Sequence, residues 1–225
     1  MKMLKRNIPL LAFVVLVTAC NNTNPSVTVP DTFETKQLIS IMQNPQSVSK
    51  ESIAKIAGTD ASKIKVYNEN FSPDVSKRTI LFSWANGEKK SVKTTDGKEL
   101  QLEGYNSLGL GFVTKISKEN FQKKYESKTA VQEDINRITK DETLDADIAI
   151  AEAKNMAANA KTQQFEKLEN VGEVAYWEMP VNALHVFAKG VSFTITTNLT
   201  DEKASREKAV ELVQFVFNNP TNSSK

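Results

Sequence analysis

Residues 173–217 read EVAYWEMPVNALHVFAKGVSFTITTNLTDEKASREKAVELVQFVF, and this run decides the fold class. Glu173–Met179, Ala183–Ala188 and Val191–Thr197 are short runs rich in β-branched and aromatic residues. Turn chemistry at Pro180–Asn182 and at Lys189-Gly190 separates them, so they predict three consecutive strands. Thr200 then reads as the cap of a helix, with Asp201 and Glu202 in its first turn, where acids suit the helix dipole. Ala209, Leu212, Val213, Val216 and Phe217 recur on one face of that helix. Strands and a helix that each carry one apolar face must cover one another, which makes the class α+β, an antiparallel sheet with helices packed on it.

Upstream the signals are more local. Asp31 with Glu34 has capping-box spacing, and Leu38, Ile41 and Met42 share a helix face that Pro45 ends. A second short helix runs from Ser49 through Ile53, Ile56 and Ala57 to Gly58. Ile64 and Val66 alternate with lysine, and Ile80, Phe82 and Trp84 alternate along Arg78–Ala85. Asn86-Gly87 is a strong two-residue hairpin signal, with Lys89–Thr95 as the expected returning strand. Leu108–Ile116 reads as a further strand, bent or bulged at Gly109 and Gly111. From Ser117 a helical region is expected to reach about Phe165, broken near Lys140–Thr143. Val131, Ile135 and Ile138 mark its first face, and its second segment is rich in alanine, with Leu144, Ile148 and Met156 as larger groups.

Two stretches echo each other. Leu81–Gly87 and Leu184–Gly190 share leucine, an aromatic, alanine and glycine at equal offsets, and each precedes a pair of threonines, Thr94-Thr95 and Thr196-Thr197. The echo is compatible with two helix-plus-hairpin halves, 31–116 and 117–217, within one domain spanning 31–217. Residues 218–225 read as a frayed tail.

The chain has 225 residues, 40% apolar and 25% charged, as a soluble globular domain does. Its single cysteine and single histidine exclude a disulfide framework and any multi-cysteine or multi-histidine metal site within one chain. Lys2, Lys5 and Arg6 precede the apolar run Ile8–Ala19, which is shorter than the roughly 20 residues a spanning helix needs but suits a secretory signal. Leu16-Val17-Thr18-Ala19-Cys20 resembles the lipobox of bacterial lipoprotein precursors. That resemblance implies a signal peptide over 1–19, cut after Ala19, and diacylglycerol and a further acyl chain such as palmitate on Cys20. Two or three acyl chains, at about 0.8 kcal/mol per buried methylene, give stable anchoring. Asn21, in place of the aspartate associated with inner-membrane retention, implies the outer membrane facing the periplasm.

Asn21–Pro30 is uncharged and holds two prolines, so 20–30 reads as a lipidated tether. Loss of residues 1–19 removes three bases and no acid, turning a formal charge of +2 into 26 bases against 27 acids. The global basic balance that would suit nucleic acid is thereby lost, and nucleic acid is not an expected partner. Val171-Gly172-Glu173-Val174-Ala175-Tyr176-Trp177 also resembles a Gly-acid-x-Ala-x-Trp element of uncharacterised envelope lipoproteins. That resemblance implies a compact α+β extracytoplasmic domain and assigns no catalytic residue.

Candidate chemistry is sparse. His185 lacks a nucleophile motif nearby and reads as a half-buried structural histidine. Asp141, Glu142, Asp145 and Asp147 lack the order of a calcium loop and read as a helix start; no metal or cofactor is assigned. Gly109-Leu110-Gly111 lacks the third glycine of a phosphate loop. Trp84, Tyr176 and Trp177, with His185, are the candidate binding surface, since adjacent Tyr176 and Trp177 must point to opposite faces of a strand. Lys89, Lys90, Lys93 and Lys98 make the expected hairpin basic, as edges protected against pairing often are. The reading is a membrane-anchored, non-enzymatic periplasmic binding or interaction module for an envelope protein or small ligand. An envelope-acting hydrolase, or an inhibitor or immunity protein against a periplasmic enzyme, stand as alternatives.

Overall fold

The computed structural model describes residues 26–69, 74–127, 135–136, 138–140, 145–160 and 163–219. The strands are β1 (Lys65–Glu69), β2 (Thr79–Lys93), β3 (Glu99–Lys115), β4 (Gln164–Leu168), β5 (Val174–Met179), β6 (Ala183–Ala188) and β7 (Val191–Asn198). They form one seven-stranded sheet in the order β1-β2-β3-β7-β6-β5-β4, antiparallel throughout. The helices are α1 (Thr35–Gln43), α2 (Lys50–Ala57), α3 (Lys118–Glu126), α4 (Ala146–Ala160) and α5 (Glu202–Asn218). The class is therefore α+β, as the strand-and-helix pattern predicts.

One face of the sheet carries the main core. Ile80, Phe82, Trp84, Leu108, Leu110, Trp177, Leu184, Val186, Phe193 and Ile195 meet Leu38, Ile41 and Met42 of α1, Ile53 and Ile56 of α2, and the apolar stripe of α5. In α5 that stripe is Ala209, Val210, Leu212, Val213, Val216 and Phe217, all buried; each large apolar side chain taken from water contributes roughly 1.5–3 kcal/mol. On the opposite face α3 places Phe121 against Val174, Tyr176 and Phe187. The two hydrophobic faces of β5 and β6 explain their near-continuous burial, with only His185 and Met179 partly exposed.

Local chemistry sets most boundaries. Ser49 accepts from Ser52 N–H at 3.3 Å and Gly58 closes α2 at φ 70°, both as expected from sequence. Ser117 caps α3 through Asn120 N–H at 3.2 Å. Lys189 and Gly190 both have positive φ, 45° and 82°, the two-residue turn that joins strands with native twist. A ladder irregularity between Gly111 and Thr114, with Phe112 at φ 55°, supplies the bulge expected in β3.

Five expectations are corrected. The first helix is capped by Glu34, whose N–H donates to the Gln37 side chain at 3.0 Å; the capping spacing is Glu34/Gln37, three residues beyond Asp31/Glu34. The last helix is capped by Asp201, accepting from Ala204 N–H at 2.7 Å, so Thr200 lies outside it. The helical region from Ser117 does not extend to Phe165, which belongs to β4, since α4 ends at Ala160. Asn86-Gly87 is not a hairpin turn: the Asn86 side chain accepts from Glu88 N–H at 2.9 Å, forming a bulge, and β2 continues to Lys93. Lys89–Thr95 is therefore the outer half of β2, and the reversal comes at Thr94–Lys98, with Gly97 at φ 81° and Thr94 N–H donating to Lys98 O at 2.8 Å. The echoed stretches thus end differently, Asn86-Gly87 at a bulge and Lys189-Gly190 at a turn.

The chain is held from Val27 onward. Val27 is buried, donates to Asn170 O at 2.7 Å and accepts from Gly172 N–H at 2.8 Å. Lys189 Nζ adds bonds to Asp31 O at 2.7 Å and Phe33 O at 2.9 Å. The N-terminal segment is thus fixed at the sheet end that holds the Lys189-Gly190 turn. Cys20, Val131, Asp141, Glu142 and Leu144 lie outside the described residues.

Candidate functional site

The face under α3 collects the polar side chains of greatest interest. The two-residue turn at Lys189-Gly190 sets His185 opposite Thr194, and the β5–β6 register sets it opposite Tyr176, with Glu178 one step along. His185 lies 2.7 Å from Glu178 through Nε2 and 3.0 Å from Thr194 Oγ1 through Nδ1. The Gln163 amide donates to the second Glu178 oxygen at 2.8 Å. Both side chains of the pair are nearly enclosed, 12% exposed for His185 and 10% for Glu178.

Burial pushes the Glu178 carboxyl up, but the His185 hydrogen bond and charge, the Gln163 amide and the Lys124 ammonium together outweigh it and hold the group below its ordinary value. An ionised carboxylate can only accept, so Nε2–H of His185 donates to Glu178, and Nδ1 meets the Thr194 hydroxyl on the other side of the ring. The row is a carboxylate–imidazole–hydroxyl relay. Its lid is aromatic: Tyr125 of α3 stacks on His185 with centroids 4.6 Å apart, and on Tyr176 at 5.3 Å. Burial, and then the nearby Glu178 charge, push the Tyr125 phenol above its ordinary range. Tyr176 donates to Glu126, and burial followed by that carboxylate raises its phenol likewise.

The other sequence candidates serve packing. Trp177 and Tyr176 do point to opposite faces, but each is covered, Trp177 in the main core and Tyr176 under α3. Trp84 is in the main core as well. The four candidate residues therefore do not form a surface. Arg206 of α5 lies 5.5 Å from the Trp177 ring and forks onto Glu166 at 2.8 Å through each nitrogen. Gly109 is a strand contact: a Cβ there would lie 2.2 Å from Thr196 Oγ1. The Gly-acid-x-Ala-x-Trp element has a similar account. Gly172 takes φ 62° beside Val186, Glu173 accepts from Lys189 N–H at 2.7 Å, and Ala175 and Trp177 are core. Asp145 accepts from Asp147 N–H at 2.9 Å at the start of α4, as a helix-start acid does.

The surface that sequence reading passed over is the outer half of the β2–β3 hairpin. β1 reaches only to Lys65 opposite Ser83, and β7 only to Asn198 opposite Ser107, so residues 86–106 project as a two-stranded arm. On the helical side Val92, Leu100 and Leu102 continue the line of Leu108 and Leu110, yet they are 44%, 48% and 50% exposed because no helix of the described chain extends over them. On the other side Lys89 faces Glu103 and Lys93 faces Glu99 across the ladder. At the arm's base Asn198 Nδ2 donates to Tyr105 O at 3.2 Å, and an open groove of about 500 Å³ runs between Asn86, Lys90, Val92 and Leu102 on one side and Asn198–Thr200 on the other. The alternation in Glu99-Leu100-Gln101-Leu102-Glu103 was the available signal. No family model, no curated protein and no solved structure matches the chain.

Proposed function

We propose that this protein is a lipid-anchored interaction module of the cell envelope, held by Cys20 and presenting the β2–β3 arm to a partner. The observation that carries the reading is the uncovered apolar stripe of Val92, Leu100 and Leu102 at the end of the sheet opposite the fixed N-terminal segment. Only Asn21–Ser26 lies between the lipobox cysteine and buried Val27, a reach of about 20 Å at roughly 3.3–3.6 Å per residue. The seventeen residues of β3 span about 55 Å at roughly 3.3 Å each. An anchor at one end therefore leaves the arm tip facing away from it. Among the described residues no helix is long and apolar enough to cross a membrane. Metabolic labelling with a palmitate analogue tests this: the wild type should carry label and sediment with membranes, and Cys20→Ala should do neither. Equal labelling of the two would reject the anchor.

The Glu178–His185–Thr194 relay supports a second reading, an envelope-acting hydrolase with Thr194 as nucleophile and His185 as base. The stacked Tyr125 leaves little room for a substrate at that hydroxyl. Labelling by an acylating or phosphonylating probe that disappears in Thr194→Val would favour the enzyme; equal labelling of both chains would discard it.

A further inference from the structure

Both edges of the arm lack a neighbouring strand, and they differ in charge. From Ala85 to Lys93 the outer side of β2 has no strand beside it, because β1 stops at Lys65 opposite Ser83. Outward-directed N–H and C=O groups along that stretch are an unextended ladder. Lys65, Lys89 and Lys93 project from this edge to the side away from α1, α2 and α5, Lys90 and Val92 project to the side of those helices, and Lys63 closes the turn before β1. Glu88 is the one acid on the outer half of β2.

Glu99 and Glu103, across the ladder, form no ion pair with these lysines, which leaves the ammonium groups on the edge open to a neighbouring strand. Glu99 accepts from the Ser91 hydroxyl and Glu103 accepts from the Tyr105 hydroxyl at 3.1 Å. Among the described residues Lys63, Lys65, Lys89, Lys90 and Lys93 form no ion pair; Lys65 rests over the Tyr105 ring at 5.5 Å. A basic edge of this kind disfavours pairing with a copy of itself, since lysines would stand against lysines. The chain's own ends are also unsuited to it. Residues 1–25 carry three bases and no acid, and 220–225 carry one base and no acid.

We infer that the open edge of β2, from Ala85 to Lys93, receives an extended segment of a partner protein in which acidic and apolar side chains alternate. Strand addition matches both periodicities at once. Main-chain bonds to the open ladder hold the segment, and side chains of period two go alternately to the two faces. Acids on one face meet Lys65, Lys89 and Lys93; apolar groups on the other cover Val92 and extend the Leu100–Leu102 stripe. The inference rests on the interaction-module reading and names the chemistry of its partner.

The test is selection of random ten-residue displayed segments on the full chain in detergent micelles, followed by binding of the selected peptides. Alternating acid and apolar residues should be enriched. The doubly substituted chain Lys89→Glu/Lys93→Glu, both positions exposed, should bind those peptides at least tenfold more weakly and should itself select basic segments. Methylation of alternate peptide nitrogens should also weaken binding at least tenfold, and amide shifts should concentrate on 85–93. Selection without acid enrichment, equal binding to the charge-reversed chain, unchanged binding of the methylated peptide, or a dimer that occupies its own edge in sedimentation would each overturn it. Selection in micelles needs no membrane attachment, so a failed anchor, seen in the Cys20→Ala labelling, is distinguished from a failed edge.

Discussion

Two hairpins of this sheet have similar alternation and opposite fates. In β6–β7 one face is covered by α5, α3 lies over Phe187 and His185 of β6 on the other, and most residues are buried. In the outer half of β2–β3 the same pattern of apolar and polar residues continues, with Leu100 and Leu102 in line with Leu108 and Leu110, and nothing in the described chain lies over them. Strand pairing therefore does not decide burial here; the reach of the helical layer does. A stripe of leucines that outruns its helices contributes little to stability and is available for contact.

The contrast can be broken by measurement. Trp177→Ala should cost about 3–5 kcal/mol in denaturant unfolding, since it opens a cavity under α5. His185→Phe keeps the stack on Tyr125 but leaves the buried Glu178 carboxylate without its imidazole donor, and roughly 2–3 kcal/mol should be lost. The same carboxylate gives a pH signature. Its native value is depressed, so its stabilisation is fully present above the ordinary glutamate value of 4.5 and is lost as pH falls through the lower native value. Glu178→Gln should flatten the acid limb of the Tm profile below that point. Gly109→Ala should cost about 1–3 kcal/mol through the Thr196 contact, and Thr196→Ala should restore part of it in the double variant. Leu102→Ala, at the far end of the scale, should change stability by no more than about 0.5 kcal/mol. A loss at Leu102 comparable with that at Trp177 would mean that the arm is packed after all, and the comparison would fail.

What sequence could read was what neighbours in the chain decide. The Ser49 cap, the Gly58 stop and the α5 stripe depend on residues within a few positions of each other, and the structure has them as expected. Asn86-Gly87 reads as a turn from its own two residues, and that the reversal falls instead at Thr94–Lys98 rests on which partners Leu100–Leu110 finds across the sheet, a non-local matter. β4 escaped notice because it has one buried residue, Leu168, and pairs on one side only. Within the candidate site, the His185–Thr194 contact was within reach. Once Lys189-Gly190 is a two-residue turn, Ala188 pairs with Val191 and His185 must face Thr194. Glu178 of β5, Tyr125 of α3 and Gln163, just before β4, come from three further stretches, and no spacing in the chain announces that they converge.

The bulge at Asn86–Glu88 has a consequence for the side chains beyond it. It inserts two residues more on β2 than on β3, because Ala85 pairs with Tyr105 and Lys89 with Glu103. An even insertion preserves the alternation, so Val92 stays on the side of Leu102, and Lys89 and Lys93 stay on the other. The joint behaves as a reading frame for the arm. Loss of Gly87 alone would shift that frame by one and exchange the two faces of outer β2, carrying Lys89 and Lys93 to the apolar side, whereas loss of two residues would leave every side chain facing as before.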